Sequence, residues 1–329
     1  MSESPQSLNP YQAEIVERCR PAVRVAAQDF KAPRVVQFED YVVKFNQNDP
    51  SLFNEADTQS FVYATALKSS APSAPRIPEV YECFLWDKWH YLVMERIQLP
   101  TIEDWIKDDP PSNESRSESS AARAQSQSET RFEKACEAVS NALTWLFSLS
   151  PPPGSDIGLI QGPYSQLQSP EVRDKSGYAF NRFFGSHYKA PIRYTNADAL
   201  ERHINMALKT CRGRNPRPMK VNFSDEPLVM VQDVIKAHNF LIDPQTLQVT
   251  LLNFGSISVL PRSFASYTLS NYTDAFSKRI YEVMNWERSG NMSPMVAATG
   301  LYWLMTEACK CFGLDKHGVP DSKFVYRSD

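Results

Sequence analysis

Four short runs rich in β-branched and aromatic residues surround one helical segment in the first hundred residues. The runs lie at residues 35–38, 41–45, 76–84 and 90–94, and Glu39-Asp40 between the first two suits a tight turn. Residues 54–67 carry apolar side chains at approximately helical spacing. The order strand, strand, helix, strand, strand predicts a small antiparallel β lobe with one main helix.

A polar segment at residues 108–131 divides the chain, because it contains no aromatic or large aliphatic residue. Such a segment cannot bury enough apolar surface to offset its ordering entropy. We therefore predict a disordered insertion, and its serines leave open a phosphorylated regulatory loop. The predicted organisation is a small lobe and hinge at residues 1–97, followed by a larger lobe at residues 98–329.

The larger lobe is predicted to be mainly α-helical, which makes the fold class α+β. Apolar residues recur at three- and four-residue intervals in residues 132–146, and further helical stretches lie at 197–211 and 297–311. Between these stretches, residues 239–243 and 249–255 read as two strands of a hairpin with polar residues at its ends.

Composition excludes several classes of function. The 35 Lys and Arg residues against 38 Asp and Glu residues give a net charge of −3, which offers no basic excess for nucleic acid. No apolar run approaches the roughly 18 residues that a bilayer span needs, and residues 1–6 lack the features of a secretion signal. The scattered spacing of the six cysteines favours free thiols. We expect a soluble, cytoplasmic protein without a membrane or nucleic-acid partner.

Five polar residues stand in a suggestive order along this pattern. Lys44 lies in an apolar strand, Glu55 near the start of the next helix, Asp233 and Asn239 on either side of a loop, and Asn253 at the start of Asn-Phe-Gly. This order resembles the protein-kinase-like superfamily, in particular the aminoglycoside phosphotransferase and choline kinase branch as fungi carry it. The resemblance implies a two-lobed kinase-like fold that binds ATP and Mg²⁺ and phosphorylates a small-molecule hydroxyl.

The resemblance also implies a role for each residue. A strand lysine fixed by a helix glutamate supplies a cation to the α- and β-phosphates, and Lys44 and Glu55 match that pair. Glu95 and Ile97 fall in the segment that resembles the hinge, whose main chain would pair with adenine. Asp233 would accept or orient the proton of the substrate hydroxyl.

Asn239 and Asn253 match the two positions that would bind the metal ion, and here the sequence departs from the family. Asn253 stands where an aspartate is usual, so the two residues bring no negative charge to Mg²⁺. No glycine precedes Gly154, so the small lobe has no glycine-rich phosphate loop.

The catalytic loop departs from the family as well. Val231 replaces the usual histidine two residues before Asp233, and Asn239 follows Asp233 by six residues rather than five. Either the loop has gained a residue, or Val234 holds the catalytic position and the carboxylate is lost.

Two functions therefore remain open. The first is a small-molecule phosphotransferase with weakened catalytic machinery and an unidentified acceptor. The second is a pseudokinase that acts as a binding or scaffold module, for which a protein partner is conceivable. A third function, that of an aminoglycoside-resistance enzyme, is less well supported. Sites for polycationic sugars are rich in carboxylates, and the net charge is only −3.

Overall fold

The computed structural model describes residues 7–29, 31–107, 118–173, 175–210, 219–306 and 309–321. In the described part of the chain, no helix is both long enough and apolar enough to cross a membrane.

The small lobe is a four-stranded antiparallel sheet, and the predicted order of its elements is confirmed. Its strands, in the spatial order β1-β2-β4-β3, are Val35–Gln37 (β1), Tyr41–Gln47 (β2), Val80–Trp86 (β3) and Trp89–Glu95 (β4). The helix between β2 and β3 is α2, Ser51–Lys68, which carries Glu55.

Helices cover both faces of this sheet. A helix that the strand pattern did not predict, Pro10–Gln28 (α1), packs Ile15 and Cys19 on the face that carries Val43 and Phe45. Because neighbouring strand residues point to opposite faces, Lys44 lies on the other face, where α2 packs.

The rest of the described chain is mainly helical, which confirms the α+β class. Its helices are Ile102–Lys107 (α3), Glu118–Ser148 (α4), Pro163–Gln166 (α5), Pro170–Arg173 (α6), Ala197–Thr210 (α7), Ser263–Ser270 (α8), Ala275–Met284 (α9) and Met292–Leu304 (α10). Its strands are Leu228–Gln232 (β5), Phe240–Ile242 (β6), Val249–Leu251 (β7) and Ile257–Pro261 (β8). The hairpin predicted from the sequence is the antiparallel pair β6 and β7, while β5 pairs with β8.

Two boundaries differ from the sequence-based expectation. The predicted disordered insertion ends earlier than expected, because α4 begins at Glu118 rather than after Arg131, and residues 108–117 lie outside the described residues. Ser128 Oγ donates to Ile106 O at 3.1 Å, so this part of α4 contacts α3. The final helix was expected at residues 297–311, but α10 spans Met292–Leu304, and Cys309–Cys311 forms a 3₁₀ turn. The division of the chain at residues 97 and 98 remains our proposal.

Candidate active site

Lys44 and Glu55 form the ion pair that their strand and helix positions predict. Lys44 Nζ lies 2.8 Å from Glu55 Oε1 and 2.7 Å from Oε2, so both carboxylate oxygens accept from one ammonium group. The Glu55 side chain is 7% exposed and that of Lys44 is 29% exposed. The pair therefore fixes the lysine stem while leaving part of the ammonium group open to the space between the lobes.

A buried contact between the lobes holds α2, and thereby Glu55, in place. Asp57 of α2 is 3% exposed, and its Oδ2 accepts the backbone N–H groups of Gly162 and Ser165, each at 2.8 Å. Its Oδ1 accepts the N–H of Tyr164 at 2.9 Å. One carboxylate thus satisfies three N–H groups where α5 begins, and such charge-assisted bonds are strong.

The Asn253-Phe254-Gly255 turn lies directly beside this pair. Asn253 has the left-handed conformation, with φ 61° and ψ 56°, which asparagine tolerates better than most residues. Ser256 N–H and Ser256 Oγ both donate to Asn253 O, at 3.1 and 2.9 Å, and close the turn. The neutral amide of Asn253 lines the same cavity as Lys44 and Glu55.

Asp233 lies inside the larger lobe, and its predicted contact with the acceptor hydroxyl stays a prediction. Its side chain is fully buried, and its Oδ1 accepts from Arg182 Nε at 3.1 Å and from Thr268 Oγ1 at 3.3 Å. Burial raises the pKa of the Asp233 carboxyl above its usual value, and the nearby Arg182 guanidinium offsets part of that rise. The carboxylate is therefore bonded inside the larger lobe and does not line the cavity.

Val234 is the residue of this loop that lines the cavity. Asn239, five residues later, is 7% exposed and donates from Nδ2 to Val234 O at 2.9 Å. Two residues before Val234, Gln232 is buried and donates from Nε2 to Leu252 O at 3.4 Å, next to the Asn253 turn. Asn239 and Gln232 thus bond on either side of Val234, while Asp233 bonds to Arg182, Thr268 and Ser256 O.

The predicted hinge residues follow β4 at some distance from the ion pair. Glu95 donates its N–H to Glu79 O at 2.8 Å, and its Oε1 accepts from Arg76 Nη2 at 2.5 Å. Ile97 is half-buried beyond the end of the strand. Neither Glu95 nor Ile97 is among the described residues that line the cavity, so their contact with adenine stays a prediction.

The cavity between the lobes has a volume of about 2120 Å³, and we call it the interlobe cleft. Lys44, Glu55, Val234 and Asn253 all line it. Among the residues that the structure describes, no group of three or more His, Cys, Asp or Glu side chains is arranged to hold a metal ion.

Sequence reasoning missed the residues that support this site. Asp57 could have been singled out as a second carboxylate on α2, two residues after Glu55. Arg182 carried no signal, because its partner Asp233 lies 51 residues away. Long-range ion pairs of this kind leave no local pattern in a single sequence.

Comparison of the sequence with protein-family models and with curated proteins gives no match. Comparison with solved structures finds a thermostable mutant of aminoglycoside phosphotransferase APH(4)-Ia in a ternary complex with ADP and hygromycin B. That chain is 12% identical, with a TM-score of 0.44, over 85% of this chain and 88% of its own. Spectinomycin phosphotransferase APH(9)-Ia, in complex with ADP and spectinomycin, is 7% identical, with a TM-score of 0.36, over 86% of each chain. Both TM-scores are below 0.5, and these ligands are those of the neighbouring proteins.

Proposed function

We propose that this protein is a kinase-like binding module that holds nucleotide phosphates on Lys44 and does not transfer a phosphoryl group. The observation that carries the proposal is that Val234 lines the interlobe cleft while the neighbouring Asp233 is buried against Arg182. A valine side chain cannot accept the proton of a substrate hydroxyl. In this reading the loop has not gained a residue, and the catalytic carboxylate is lost.

In this proposal, Lys44 and Glu55 still bind nucleotide phosphates. The Lys44 ammonium is held by both oxygens of Glu55 and lines the cleft, so it presents a positive charge in a fixed place. A fixed cation is what the α- and β-phosphates of ATP require of the protein. Lys44, with Glu55 as its positioning residue, is therefore our candidate nucleotide ligand.

The residues proposed for Mg²⁺ do not fit that ion. Mg²⁺ is usually bound through one or two carboxylates together with substrate phosphates. Asn239 and Asn253 are neutral, and Asn239 already donates its amide to Val234 O. We therefore expect nucleotide binding that does not depend on magnesium.

A divergent small-molecule phosphotransferase is the second candidate, and the intact Lys44–Glu55 pair is the observation that favours it. That function would require another group to take the role predicted for Asp233. Assignment to the aminoglycoside phosphotransferase and choline kinase branch, with a small-molecule acceptor, stays a prediction. So do a protein partner and a cytoplasmic location.

Titration with ATP, once with Mg²⁺ and once with a chelator, tests the proposal. We expect equal affinity in both, and a stabilisation of about 2.7 kcal/mol when ATP is at roughly 100 times its Kd. Lys44→Met should abolish this effect. Because that variant leaves Glu55 buried without its cation, the double variant Lys44→Met with Glu55→Gln provides a neutral pair of similar shape.

Lys68→Met is the matched control, because it makes the same change at an exposed lysine at the end of α2, the helix that carries Glu55. The proposal is wrong if the wild-type protein releases labelled phosphate from ATP or transfers it in a magnesium-dependent reaction. It is equally wrong if ATP binds Lys44→Met as well as it binds the wild type.

A further inference from the structure

The larger lobe contributes a basic wall to the interlobe cleft. Lys175, His187 and Lys189 line the cleft from this side, and all three are exposed. Among the described residues, none of the three forms an ion pair, and the lining residues of this lobe include no carboxylate. Within the described lining of the larger lobe, the positive charges of Lys175 and Lys189 therefore face the cleft without a neighbouring carboxylate.

The carboxylates that line the cleft come from the small lobe and are mostly bonded already. Glu55 pairs with Lys44, and Glu82 Oε1 accepts from Gln12 Nε2 at 2.6 Å. Asp49 accepts from Ser51 N–H at 3.1 Å. Asp87, the remaining one, is exposed in the turn between β3 and β4. A polycationic ligand would thus meet lysines on one side and bonded carboxylates on the other.

The basic wall is built on a fixed backbone. Residues 178–190 fold back on themselves, with Asn181 N–H bonded to Tyr188 O at 2.6 Å and Ala190 N–H bonded to Ala179 O at 2.8 Å. Phe180 N–H also donates to Ser258 Oγ of β8 at 2.8 Å. The segment that carries His187 and Lys189 is therefore tied to the core of the larger lobe, while Lys175 N–H donates locally to Val172 O at 3.0 Å.

Apolar groups adjoin these charges. Lys189 Nζ lies 4.3 Å from the centre of the Tyr178 ring, a cation–π contact that orients the ammonium group. Leu167 and Val172, on the same side of the cleft, are 71% and 37% exposed. This combination suits a ligand that has both a negative charge and an apolar body.

The cleft also has room for a second ligand. Its volume of about 2120 Å³ exceeds the roughly 300–1,000 Å³ of an ordinary small-molecule pocket. The nucleotide site proposed above uses Lys44 and the Asn253 turn, whereas the basic wall belongs to residues 175–189.

We propose that the basic wall binds a small amphipathic anion, such as a phosphate or carboxylate attached to an aromatic or aliphatic group. This inference deepens the proposed function by naming the class of the second ligand, and it rests on that proposal only for the neighbouring nucleotide. Lys175 and Lys189 bind the charge, and the half-buried Tyr178 ring and the exposed side chains of Leu167 and Val172 contact the apolar body.

Calorimetric titration with phenyl phosphate tests the inference, with inorganic phosphate, benzoate, benzyl alcohol and hygromycin B as comparison probes. We expect phenyl phosphate and benzoate to bind, inorganic phosphate to bind more weakly because it lacks a ring, and the neutral and polycationic probes not to bind. The double variant Lys175→Gln, Lys189→Gln should lose about tenfold in affinity for phenyl phosphate, since each exposed charge pair contributes a few-fold. The affinity should fall as salt is raised.

Two controls separate this inference from the proposed function. Lys209→Gln with Lys278→Gln removes the same charge from exposed positions outside the cleft lining and should leave phenyl phosphate binding unchanged. The double variant Lys44→Met with Glu55→Gln should lose ATP binding but retain phenyl phosphate binding.

Several results would overturn the inference. These are no binding of phenyl phosphate to the wild type, unchanged binding after the two wall lysines are replaced, or tighter binding of hygromycin B than of phenyl phosphate. Loss of phenyl phosphate binding with the Lys44 variant alone would assign the anion to the nucleotide site instead. None of these results depends on whether ATP binds.

Discussion

Gly255 lies so close to Glu55 that a β-carbon at residue 255 would stand 2.7 Å from Glu55 Oε2. Real β-carbons do not approach an oxygen atom so closely, so a side chain at residue 255 would have to displace the Glu55 carboxylate or the turn. The same Oε2 lies 2.7 Å from Lys44 Nζ. The packing of one turn in the larger lobe therefore helps to define the position of the cation in the small lobe.

Replacing Gly255 with alanine should destabilise the fold and disturb the ion pair. The added methyl group must displace Glu55 or the turn, and overpacking of this kind costs about 1–3 kcal/mol. Urea denaturation measures the loss of stability, and ATP titration should show weaker binding. Gly290→Ala is the control, because a β-carbon there would meet no atom within 4 Å. Equal stability of the two variants would mean that the turn does not press on Glu55.

Asn253→Asp should introduce a magnesium dependence into nucleotide binding. The substitution places a carboxylate in the cleft beside Lys44, and the charge of the ligands strongly tunes divalent-ion affinity. We expect ATP affinity to rise several-fold with Mg²⁺ and to remain unchanged with a chelator. Asn285→Asp makes the same change at another left-handed asparagine, with φ 44°, outside the cleft lining, and should have no such effect. Identical metal dependence in the wild type and Asn253→Asp would place residue 253 away from the phosphates.

Asp57→Ala should loosen the contact between the two lobes. The change leaves the N–H groups of Tyr164 and Ser165 without their acceptor, whereas Gly162 N–H keeps a second acceptor in Ser165 Oγ at 3.0 Å. Bonds to a buried charged group contribute about 1.5–3 kcal/mol each. We expect a loss of at least about 3 kcal/mol in the free energy of unfolding. Hydrogen exchange at residues 162–165 should accelerate more than exchange elsewhere.

Asp198→Ala is the control for this measurement. Asp198 forms an exposed ion pair with Arg202 on one helix, so its loss should cost less than about 1 kcal/mol. A similar loss in the free energy of unfolding for both variants would show that Asp57 does not hold α2 against residues 162–165.

Asp233 should give the wild-type protein a characteristic pH dependence of stability relative to Asp233→Asn. The folded pKa of this carboxyl is raised by burial, so the folded protein retains its proton at pH values where the unfolded chain has released it. As pH rises from the unfolded value of about 3.9 through the raised folded value, the wild type should lose stability relative to the variant. The free energy of unfolding, measured over this pH range in both proteins, checks how their difference in stability changes with pH. A wild type that gains stability relative to the variant would mean that the Arg182 interaction outweighs burial.

Local patterns predicted the small lobe well. The alternation in β2 and the helical spacing in α2 depend only on neighbouring residues, so the sequence places Lys44 on a strand and Glu55 on a helix. Their pairing is implied by the resemblance to the kinase-like superfamily. The structure confirms this pair, at 2.7 Å. The hairpin of β6 and β7 was predictable for the same reason.

Local sequence patterns did not predict two helical segments, α1 and the start of α4. Helix α1 was not predicted, although Asn9 and Gln12 form a capping box at its first turn. The start of α4 was missed because residues 118–131 are polar. That stretch includes contacts with α3, such as the bond from Arg131 Nη1 to Trp105 O at 3.1 Å.

The sequence by itself determined the order of the four strands and the intervening helix in the small lobe, the pairing of Lys44 with Glu55 and the neutral residue at position 253. The first and the last follow from residue type and short-range spacing, and the pairing follows from the resemblance to the kinase-like superfamily. Only the tertiary structure decided which of Asp233 and Val234 lines the cleft, because two adjacent residues differ only in the direction of their side chains. Arg182, 51 residues away, pairs with the Asp233 carboxylate inside the larger lobe, and Val234 is left to line the cleft.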